Sequence, residues 1–269
     1  MKHKEGDTEW IKSFYDAAVE WWGESWYDGE NLKSRLDVVK KYASETDKRI
    51  LELAAGTGET AAYFCDNGYL ILAVDINHKN IEIITILQKE RPNLRVTEGD
   101  FLKIHINERF PTICMFESFG LGSDKEQQQL LRRVNEEWLT PNGIMILDVY
   151  HPFGPIQASG TKRELDRLEN IPGSVDMTEY SYYDPIKGRW IDIWEPKSDI
   201  KSRKIQSIRC YTPADFILLA ESSGLAIEKM LFNSKEFNYE STEIVSENIF
   251  NLDGDDRNYA YTVIMRKRE

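Results

Sequence analysis

Apolar and polar positions along the chain predict repeated strand–helix units. Short runs of consecutive apolar residues alternate with longer segments whose apolar side chains recur every three or four positions. Unbroken apolar strands that alternate with amphipathic helices are typical of a parallel sheet with right-handed crossovers. The predicted core strands are residues 50–53, 69–74, 94–97, 110–116 and 144–149, and the predicted helices between them are residues 59–67, 77–90 and 123–138.

The N-terminal segment has a pattern of its own. Bulky residues recur at helical spacing from Glu9 to Trp22, and a second amphipathic helix is predicted over residues 32–42. The first 26 residues contain four tryptophans. Because aromatic side chains usually need a surface to cover, residues 1–30 are predicted to form a helical lid that packs on the core and covers a ligand.

The segment that follows the core predicts a small antiparallel sheet. Residues 174–184, 189–196 and 204–211 alternate aromatic and polar side chains between turn signals. Its aromatic residues, which either pack the sheet or form the wall of an acceptor pocket, are Tyr180, Tyr182, Tyr183, Trp190 and Trp194. The tail is then predicted to be a helix capped by Thr212, a strand over 225–233, a polar loop over 236–256 and a final strand over 259–267.

A glycine turn follows the first strand, in the stretch KRILELAAGTG. Gly56 and Gly58 carry no Cβ that would hold a ligand away from the backbone, and the turn leads into a helix N-terminus that favours a polar or anionic group. The alternative is a turn that only joins strand and helix. The stretch G-T-G-E-T-A also fits the relaxed dinucleotide-binding pattern.

Five polar side chains fall at the carboxyl ends of the predicted strands, namely Glu52, Asp75, Asp100, Glu117 and His151. The strand ends of a parallel sheet meet at one edge, so these groups are expected to surround one ligand. An acid such as Asp75 can bind a ribose diol. It could instead cap the next helix, but Asn77 is better placed for that cap, which would leave Asp75 free.

Composition narrows the functional class. The formal net charge is -12, which disfavours nucleic acid and anionic membranes as partners. The three cysteines are far apart and form no metal-binding motif with histidine, so no metal is expected and a reducing, cytoplasmic setting fits best. Neither a signal peptide nor a membrane-spanning run is recognisable in the sequence.

The segments LELAAGTG, AVDIN, EGDF, MFESFG and LTPNGIMILDVY together resemble the class I S-adenosylmethionine-dependent methyltransferases, over about residues 30 to 150. Ala54 departs from the glycine common at its position, and only a slight change of loop shape is expected. The residues expected to contact the cofactor, S-adenosylmethionine, are Tyr27, Arg35, Glu52, Ala54, Gly56, Gly58, Asp75, Ile76, Asp100, Phe101 and Glu117.

The resemblance implies an α/β fold with a Rossmann-like, doubly wound, mostly parallel seven-stranded sheet whose last strand is antiparallel. Residues 31–150 and 211–269 would form the cofactor-binding core, and residues 151–210 would be an antiparallel β insertion that shapes the acceptor site. In layout, this insertion resembles that of the glycine and amino-sugar N-methyltransferases.

The sequence thus predicts an enzyme that transfers a methyl group to a small-molecule amine or hydroxyl. His151 is the candidate general base, because histidine titrates near neutral pH, and Asp148 and Glu117 are alternatives. The candidate acceptor-binding residues are Tyr15, Trp22, Phe119, Tyr150, Tyr182 and Trp194. An NAD-dependent oxidoreductase and a non-catalytic cofactor-binding protein remain as other interpretations. Neither the acceptor's identity nor the oligomeric state follows from the sequence.

Overall fold

The computed structural model describes residues 9–22, 29–169, 173–233, 235–237 and 259–268, and the side chain of Trp22 is not among the described groups. The predicted cofactor contact of Tyr27, the predicted acceptor contact of Trp22 and most of the predicted loop 236–256 therefore lie outside the described residues.

Twelve strands and seven α-helices are formed within the described residues. The strands are β1 (Arg49–Leu53), β2 (Leu70–Asp75), β3 (Leu94–Glu98), β4 (Phe110–Phe119), β5 (Leu139–Tyr150), β6 (Thr161–Leu165), β7 (Met177–Asp184), β8 (Arg189–Pro196), β9 (Lys204–Arg209), β10 (Leu225–Phe232), β11 (Lys235–Phe237) and β12 (Ala260–Lys267). The helices are α1 (Glu9–Trp22), α2 (Gly29–Tyr42), α3 (Glu59–Asp66), α4 (His78–Gln88), α5 (Asp124–Arg133), α6 (Phe153–Ala158) and α7 (Pro213–Glu221), and a π-helical turn at Val134–Trp138 prolongs α5.

The central sheet has the strand order β11-β10-β12-β5-β4-β1-β2-β3. Strands β3, β2, β1, β4 and β5 run parallel, whereas β12 is antiparallel to both of its neighbours. The predicted Rossmann-like sheet with an antiparallel last strand is therefore confirmed. It gains an eighth, three-residue edge strand, β11, at the start of the segment predicted to be a loop.

Strand order reverses at the centre of this sheet. After β1 the chain adds β2 and β3 on one side and then returns to place β4 and β5 on the other. The connections leave the sheet in opposite directions there, so a crevice opens beyond the carboxyl ends of β1 and β4, where open α/β sheets bind ligands.

Alternate residues of the parallel strands fill two apolar layers. Leu51 and Leu53 belong to the layer that contains Trp138 and Phe216, and Ile50 belongs to the layer that contains Phe64. Helix starts are fixed by local signals, because Asn77, Ser123 and Thr212 accept backbone N–H groups as side-chain caps of α4, α5 and α7. Rigid strand ends thus border the crevice.

A separate four-stranded antiparallel sheet has the order β6-β7-β8-β9. The sequence predicted three strands, and the fourth, β6, was missed because residues 161–165 are mostly exposed and charged and show no apolar alternation. The short helix α6 was missed as well. Strand β7 begins at Met177 rather than at Ser174, and β9 ends at Arg209 rather than at Tyr211.

The small sheet is fastened to the core near the ends of β4 and β5. The Arg209 N–H donates to the Gly120 carbonyl at 2.7 Å, and the Tyr211 N–H donates to the Tyr150 carbonyl at 2.8 Å. Strand β4 runs three residues further than predicted, and β5 begins at Leu139, before the predicted turn over 140–143. Pairing with neighbouring strands extends both elements, and local sequence does not reveal such pairing.

Candidate functional site

The turn after β1 contains two glycines, and each is favoured for a different structural reason. Gly56 has a φ of +56°, and a Cβ at this position would meet nothing within 4 Å, so its backbone is open to the crevice. Gly58 has a φ of +83°, and its Cβ would lie 2.6 Å from the Ile84 side chain. At Gly58 the contact with α4 is thus a reason for glycine that the sequence did not reveal, and its contact with the cofactor stays a prediction.

Ala54 begins this turn in a left-handed conformation, with a φ of +55°. Such a conformation costs an alanine about 1–2 kcal/mol relative to the right-handed region, whereas glycine adopts it freely. This physical cost is a reason for glycine to be common at the position. The alanine methyl group lines the crevice beside Gly56 and Asp75.

Asp75 lies at the end of β2 and holds this turn in place. One carboxylate oxygen accepts the Gly56 N–H at 2.8 Å, and the other accepts the Asn77 N–H at 2.8 Å and the Asn80 side-chain amide at 3.2 Å. Asn77 caps α4 as predicted, but Asp75 is not left free. Burial raises the pKa of Asp75 to about 6, although the three N–H groups act in the opposite direction.

Glu52 is a buried acid at the end of β1. Burial raises its pKa to about 8, opposed by the charge of Arg35 and reinforced by that of Asp75. Its Oε2 has no hydrogen-bond partner among the described residues. A buried carboxylate oxygen without a donor is costly, and a ligand that supplies a donor would remove this cost.

Arg35 of α2 contacts the end of β4. Its guanidinium donates to the Thr60 hydroxyl at 2.9 Å and to the Glu117 carboxylate at 2.7 Å, and it lies 4.7 Å from the centre of the Phe116 ring. Glu117 has a φ of +50°, within the irregular β4–β5 pairing between Met115 and Phe119. This strained position directs the acid towards Arg35.

Asp148 of β5 is a second buried acid near the same arginine. It accepts the Thr262 hydroxyl at 2.7 Å and the backbone N–H of Glu117. Burial raises its pKa to about 6, with Arg35 lowering the pKa and Glu117 raising it. The Tyr150 hydroxyl donates to the Glu117 carbonyl at 3.1 Å. Asp148 and Tyr150 therefore support the irregular end of β4.

The loop after β3 forms the other wall of the crevice. Asp100 accepts the Leu102 N–H at 2.9 Å and pairs with Lys103 at 2.9 Å. Phe101 is half-buried against the core and lines the cavity together with Asp100 and Leu102. An apolar ring beside a carboxylate is suited to a flat heterocycle that carries an amino group.

One continuous cavity of about 1250 Å³ joins the strand ends to the small sheet. Residues expected to contact the cofactor that line it are Ala54, Gly56, Asp75, Ile76, Asp100 and Phe101. On the side of the small sheet it is lined by Ile191 and Ile193 of β8 and by Ile205 of β9. Among the residues predicted to bind the acceptor, Tyr15 borders the cavity, and its hydroxyl accepts a bond from Gln206 at 3.1 Å.

Other residues predicted to bind the acceptor lie elsewhere. Phe119 is completely buried and packs on Tyr211 and Phe216, so its predicted contact with the acceptor is wrong. Trp194 packs on a cluster that includes Trp21, on the face of β8 opposite the cavity-lining isoleucines. Tyr182 lies opposite Ile191 but is 43% exposed and is not among the described residues that line the cavity.

His151 is fully buried, and its Nδ1 accepts the Phe153 N–H at 3.2 Å at the start of α6. Its neighbour Pro152 lines the cavity, but His151 is not among the described lining residues. A general base must reach the proton that it removes. The structure therefore argues against the predicted base role and favours a positioning role for this ring.

Sequence reasoning missed two groups of residues. Ile191 and Ile193 are flanked by Trp190 and Trp194, and the aromatic residues of this segment were given the functional role, while Ile205 of β9 was not considered. Asp192 lies between Ile191 and Ile193 on the opposite face, 2% exposed, and burial raises its pKa to about 7. The apolar positions of β8 were a signal for the first group, whereas no local signal predicted burial of Asp192.

A protein-family model described as a methyltransferase domain matches residues 50–143, the region that contains the glycine turn and the strand-end acids. The chain carries a methyltransferase domain. Together with the fold, it confirms the resemblance to the class I S-adenosylmethionine-dependent methyltransferases, an enzyme class that uses S-adenosylmethionine as its methyl donor.

Comparison with known proteins shows how far the likeness extends along the chain. It is 22% identical over 156 residues to a demethylmenaquinone methyltransferase of Renibacterium salmoninarum, and the match covers 57% of this chain and 64% of that protein, less than two thirds of its length. The CcbJ methyltransferase of Streptomyces caelestis superposes with a TM-score of 0.72 at 20% identity, covering 97% of this chain and 98% of that one. CalS10 of Micromonospora echinaspora, an aminopentose methyltransferase solved with bound cofactor, gives a TM-score of 0.61 at 13% identity, covering 99% and 100% of the two chains.

The described residues near the strand ends fit S-adenosylmethionine chemically. The unpartnered oxygen of Glu52 is an acceptor for an ammonium, the open backbone at Gly56 admits close approach, and Arg35 can bind a carboxylate. Within the described residues, no group of three metal-binding side chains is found, and none of the helices has the length and apolar character needed to cross a bilayer.

Proposed function

We propose that this protein transfers a methyl group from S-adenosylmethionine to a small-molecule amine or hydroxyl. One observation carries the proposal: four acids at or near the carboxyl ends of the parallel strands interact electrostatically with one another or with the single Arg35 guanidinium, and these acids are Glu52, Asp75, Glu117 and Asp148. This excess of negative charge suits a ligand that carries a sulfonium and an ammonium group.

S-adenosylmethionine, when bound, supplies a methyl group that is already activated for transfer to a nucleophile. The chain's own residues must then bind the two reactants, orient them and exclude water. In this proposal Asp75, whose oxygens also accept N–H groups of the turn and of α4, accepts the ribose hydroxyls, and Asp100 and Phe101 frame the adenine. Alignment of the two reactants contributes roughly 7–11 kcal/mol to lowering a barrier of this kind. A base is needed only if the acceptor must lose a proton before or during transfer, so a free amine requires none.

The cavity volume supports a second small ligand. Pockets for one drug-sized ligand are about 300–1,000 Å³, and the cavity here is about 1250 Å³. Ile191, Ile193 and Ile205 of the small sheet line the same cavity as residues expected to contact the cofactor, which leaves apolar space for an acceptor. Nucleic acid is a poor alternative because the chain has a net charge of -12.

The proposal is tested by calorimetry followed by a turnover assay. Purified protein is titrated with S-adenosylmethionine, S-adenosylhomocysteine and NADH, and is then incubated with labelled methyl donor and panels of small amines and phenols. We expect heat with the first two ligands, none with NADH, and label transfer to a member of one panel. Binding of NADH alone would reverse the proposal, and cofactor binding without any transfer would favour a non-catalytic binder.

The first prediction concerns the pH dependence of cofactor binding. The raised pKa values of Asp75 and Asp148, about 6, and of Glu52, about 8, leave these acids increasingly neutral as the pH falls. Rising pH ionises them, and a nearby cation then gains ~1 kcal/mol or about five-fold in affinity. The affinity for S-adenosylmethionine should therefore increase from pH 5.5 to 8.5 relative to the affinity for S-adenosylhomocysteine, whose sulfur is an uncharged thioether.

Calorimetric dissociation constants for the two ligands at matched pH provide the measurement. Both ligands carry the same amino-acid and adenosine groups, so their affinity ratio isolates the sulfonium charge. A ratio that stays constant across this pH range would show that the buried acids do not face the sulfonium.

The second prediction concerns His151. Substitution by alanine removes the acceptor for the Phe153 N–H and should lower the free energy of unfolding by about 1–3 kcal/mol. Substitution by asparagine, whose amide oxygen can accept the same N–H, should restore part of this stability. Thermal melts of both variants check the stability, and turnover is measured against pH. Loss of one limb of the pH profile in the alanine variant would return His151 to the role of base.

A further inference from the structure

We infer that the acceptor has an extended apolar body, which lies on an isoleucine floor formed by Ile191, Ile193 and Ile205. This inference deepens the proposed function and rests on it. All three residues line the same cavity as the residues expected to contact the cofactor, and each is half-buried. Apolar surface left exposed in a cavity is unfavourable unless a ligand covers it.

Strand pairing makes the floor a continuous surface. Ile193 of β8 lies directly opposite Ile205 of β9, and Ile191 lies opposite Ser207. Side chains that are directly opposite on neighbouring strands point to the same face, so the isoleucines form one patch. The Trp10 and Ile11 side chains of α1 and Leu121 extend this patch within the cavity.

The floor has a fixed position relative to the crevice. Arg189, at the start of β8, donates to the Gly122 carbonyl at 3.0 Å and to the Gly120 carbonyl at 3.2 Å, in the loop that follows β4. It also donates to the Ser207 hydroxyl at 2.8 Å and so joins β8 to β9. A patch held in this way can orient a ligand body while its nucleophile faces the strand ends.

The chemistry of the floor selects against a wholly polar acceptor. Isoleucine side chains offer no hydrogen bonds, so a hydroxyl-rich ligand would lose water contacts there without replacement. Each methylene that leaves water for such a surface contributes ~0.8 kcal/mol, which is about four-fold in affinity. Recognition should therefore increase with the apolar length of the acceptor.

A homologous series of ligands tests the inference. Primary n-alkylamines from propylamine to octylamine, and 4-alkylphenols of matched length, are assayed with labelled S-adenosylmethionine. We expect kcat/KM to rise about four-fold per added methylene until the floor is covered. 6-Aminohexan-1-ol serves as the polar control for heptylamine and should react much more slowly. Turnover that is independent of chain length would overturn the inference while leaving the proposed function intact.

Variants locate the effect. Ile193→Thr and Ile205→Thr keep the β-branched shape that strands favour and should reduce the rise to below about two-fold per methylene. Ile86→Thr is the matched control, because Ile86 is 61% exposed on α4, outside the described lining, and should retain the wild-type rise. Equal slopes in floor and control variants would place the apolar contact elsewhere.

Direct binding separates this inference from the proposed function. Calorimetric titration of butylamine and octylamine into protein saturated with S-adenosylhomocysteine needs no turnover and no variant. Binding that strengthens with chain length supports the floor even if neither ligand series is methylated. Absence of binding by both amines, with the cofactor product bound, counts against it.

Discussion

Replacement of Asp75 by alanine is expected to weaken S-adenosylmethionine binding by about 100-fold, the largest effect of any single side chain in the crevice. In the proposed complex the ribose diol donates two hydrogen bonds to this charged carboxylate. Losing both, at ~1.5 kcal/mol each, costs ~3 kcal/mol, or about 100-fold in affinity. The substitution also releases the Gly56 N–H, which Asp75 accepts at 2.8 Å, and so loosens the turn beneath the ligand. Calorimetric titration measures the change.

Two further variants of acidic residues define what the Asp75 experiment means. Asp75→Asn keeps the shape but places an amide among the N–H donors, so an intermediate loss is expected. Asp66→Ala removes an acid that pairs with Arg91 at 2.9 Å, outside the described cavity lining, and should bind the cofactor normally. If Asp75→Ala binds within threefold of the wild type, the ribose assignment is wrong.

Substitution of Gly120 by alanine should produce the largest loss of stability. A Cβ at this position would overlap the Arg209 carbonyl, and Gly120 has a φ of +108°. The conformational cost of ~1–2 kcal/mol and the overlap cost of ~1–3 kcal/mol add to about 2–5 kcal/mol. Because Gly120 and Arg209 join the core to the small sheet, the substitution should also disturb the acceptor side of the cavity.

Gly160→Ala is the matched control for this substitution. Gly160 has a φ of +83°, but a Cβ there would meet nothing within 4 Å, so only the conformational cost of ~1–2 kcal/mol applies. Each kcal/mol lowers the melting temperature of a chain of this size by about 2–4 °C. Thermal melts should therefore show a distinctly larger decrease for Gly120→Ala. Equal decreases in the two variants would contradict the overlap.

Much of the cofactor side followed from local patterns. Apolar runs after regular helices predicted the five parallel strands, and parallel strands necessarily bring their carboxyl ends to one edge. Asp75, Asp100 and the glycine turn could therefore be grouped before any contact was visible. The caps at Asn77 and Thr212 were predictable for the same reason, because a cap depends on residues within one helical turn.

The acceptor side was less predictable, because it depends on which face of a strand is covered. Along β8, Trp190 and Trp194 lie on one face and Ile191 and Ile193 on the other. Their alternation does not determine which face lines the cavity. The choice was made by the junctions of the small sheet with Gly120 and Tyr150, far away in sequence. Aromatic residues given a binding role, such as Phe119, became part of the core instead.

The order of the core strands and helices, the glycine turn and the row of acids at the strand ends followed from the sequence alone, because each depends on neighbouring residues or on the direction of parallel strands. Tertiary packing was needed to bring Arg35 to Glu117, to bury His151 and to turn the isoleucines of the small sheet towards the cavity. These outcomes depend on contacts between segments that are distant along the chain, and such packing fixes the orientation of each side chain and its exposure to solvent.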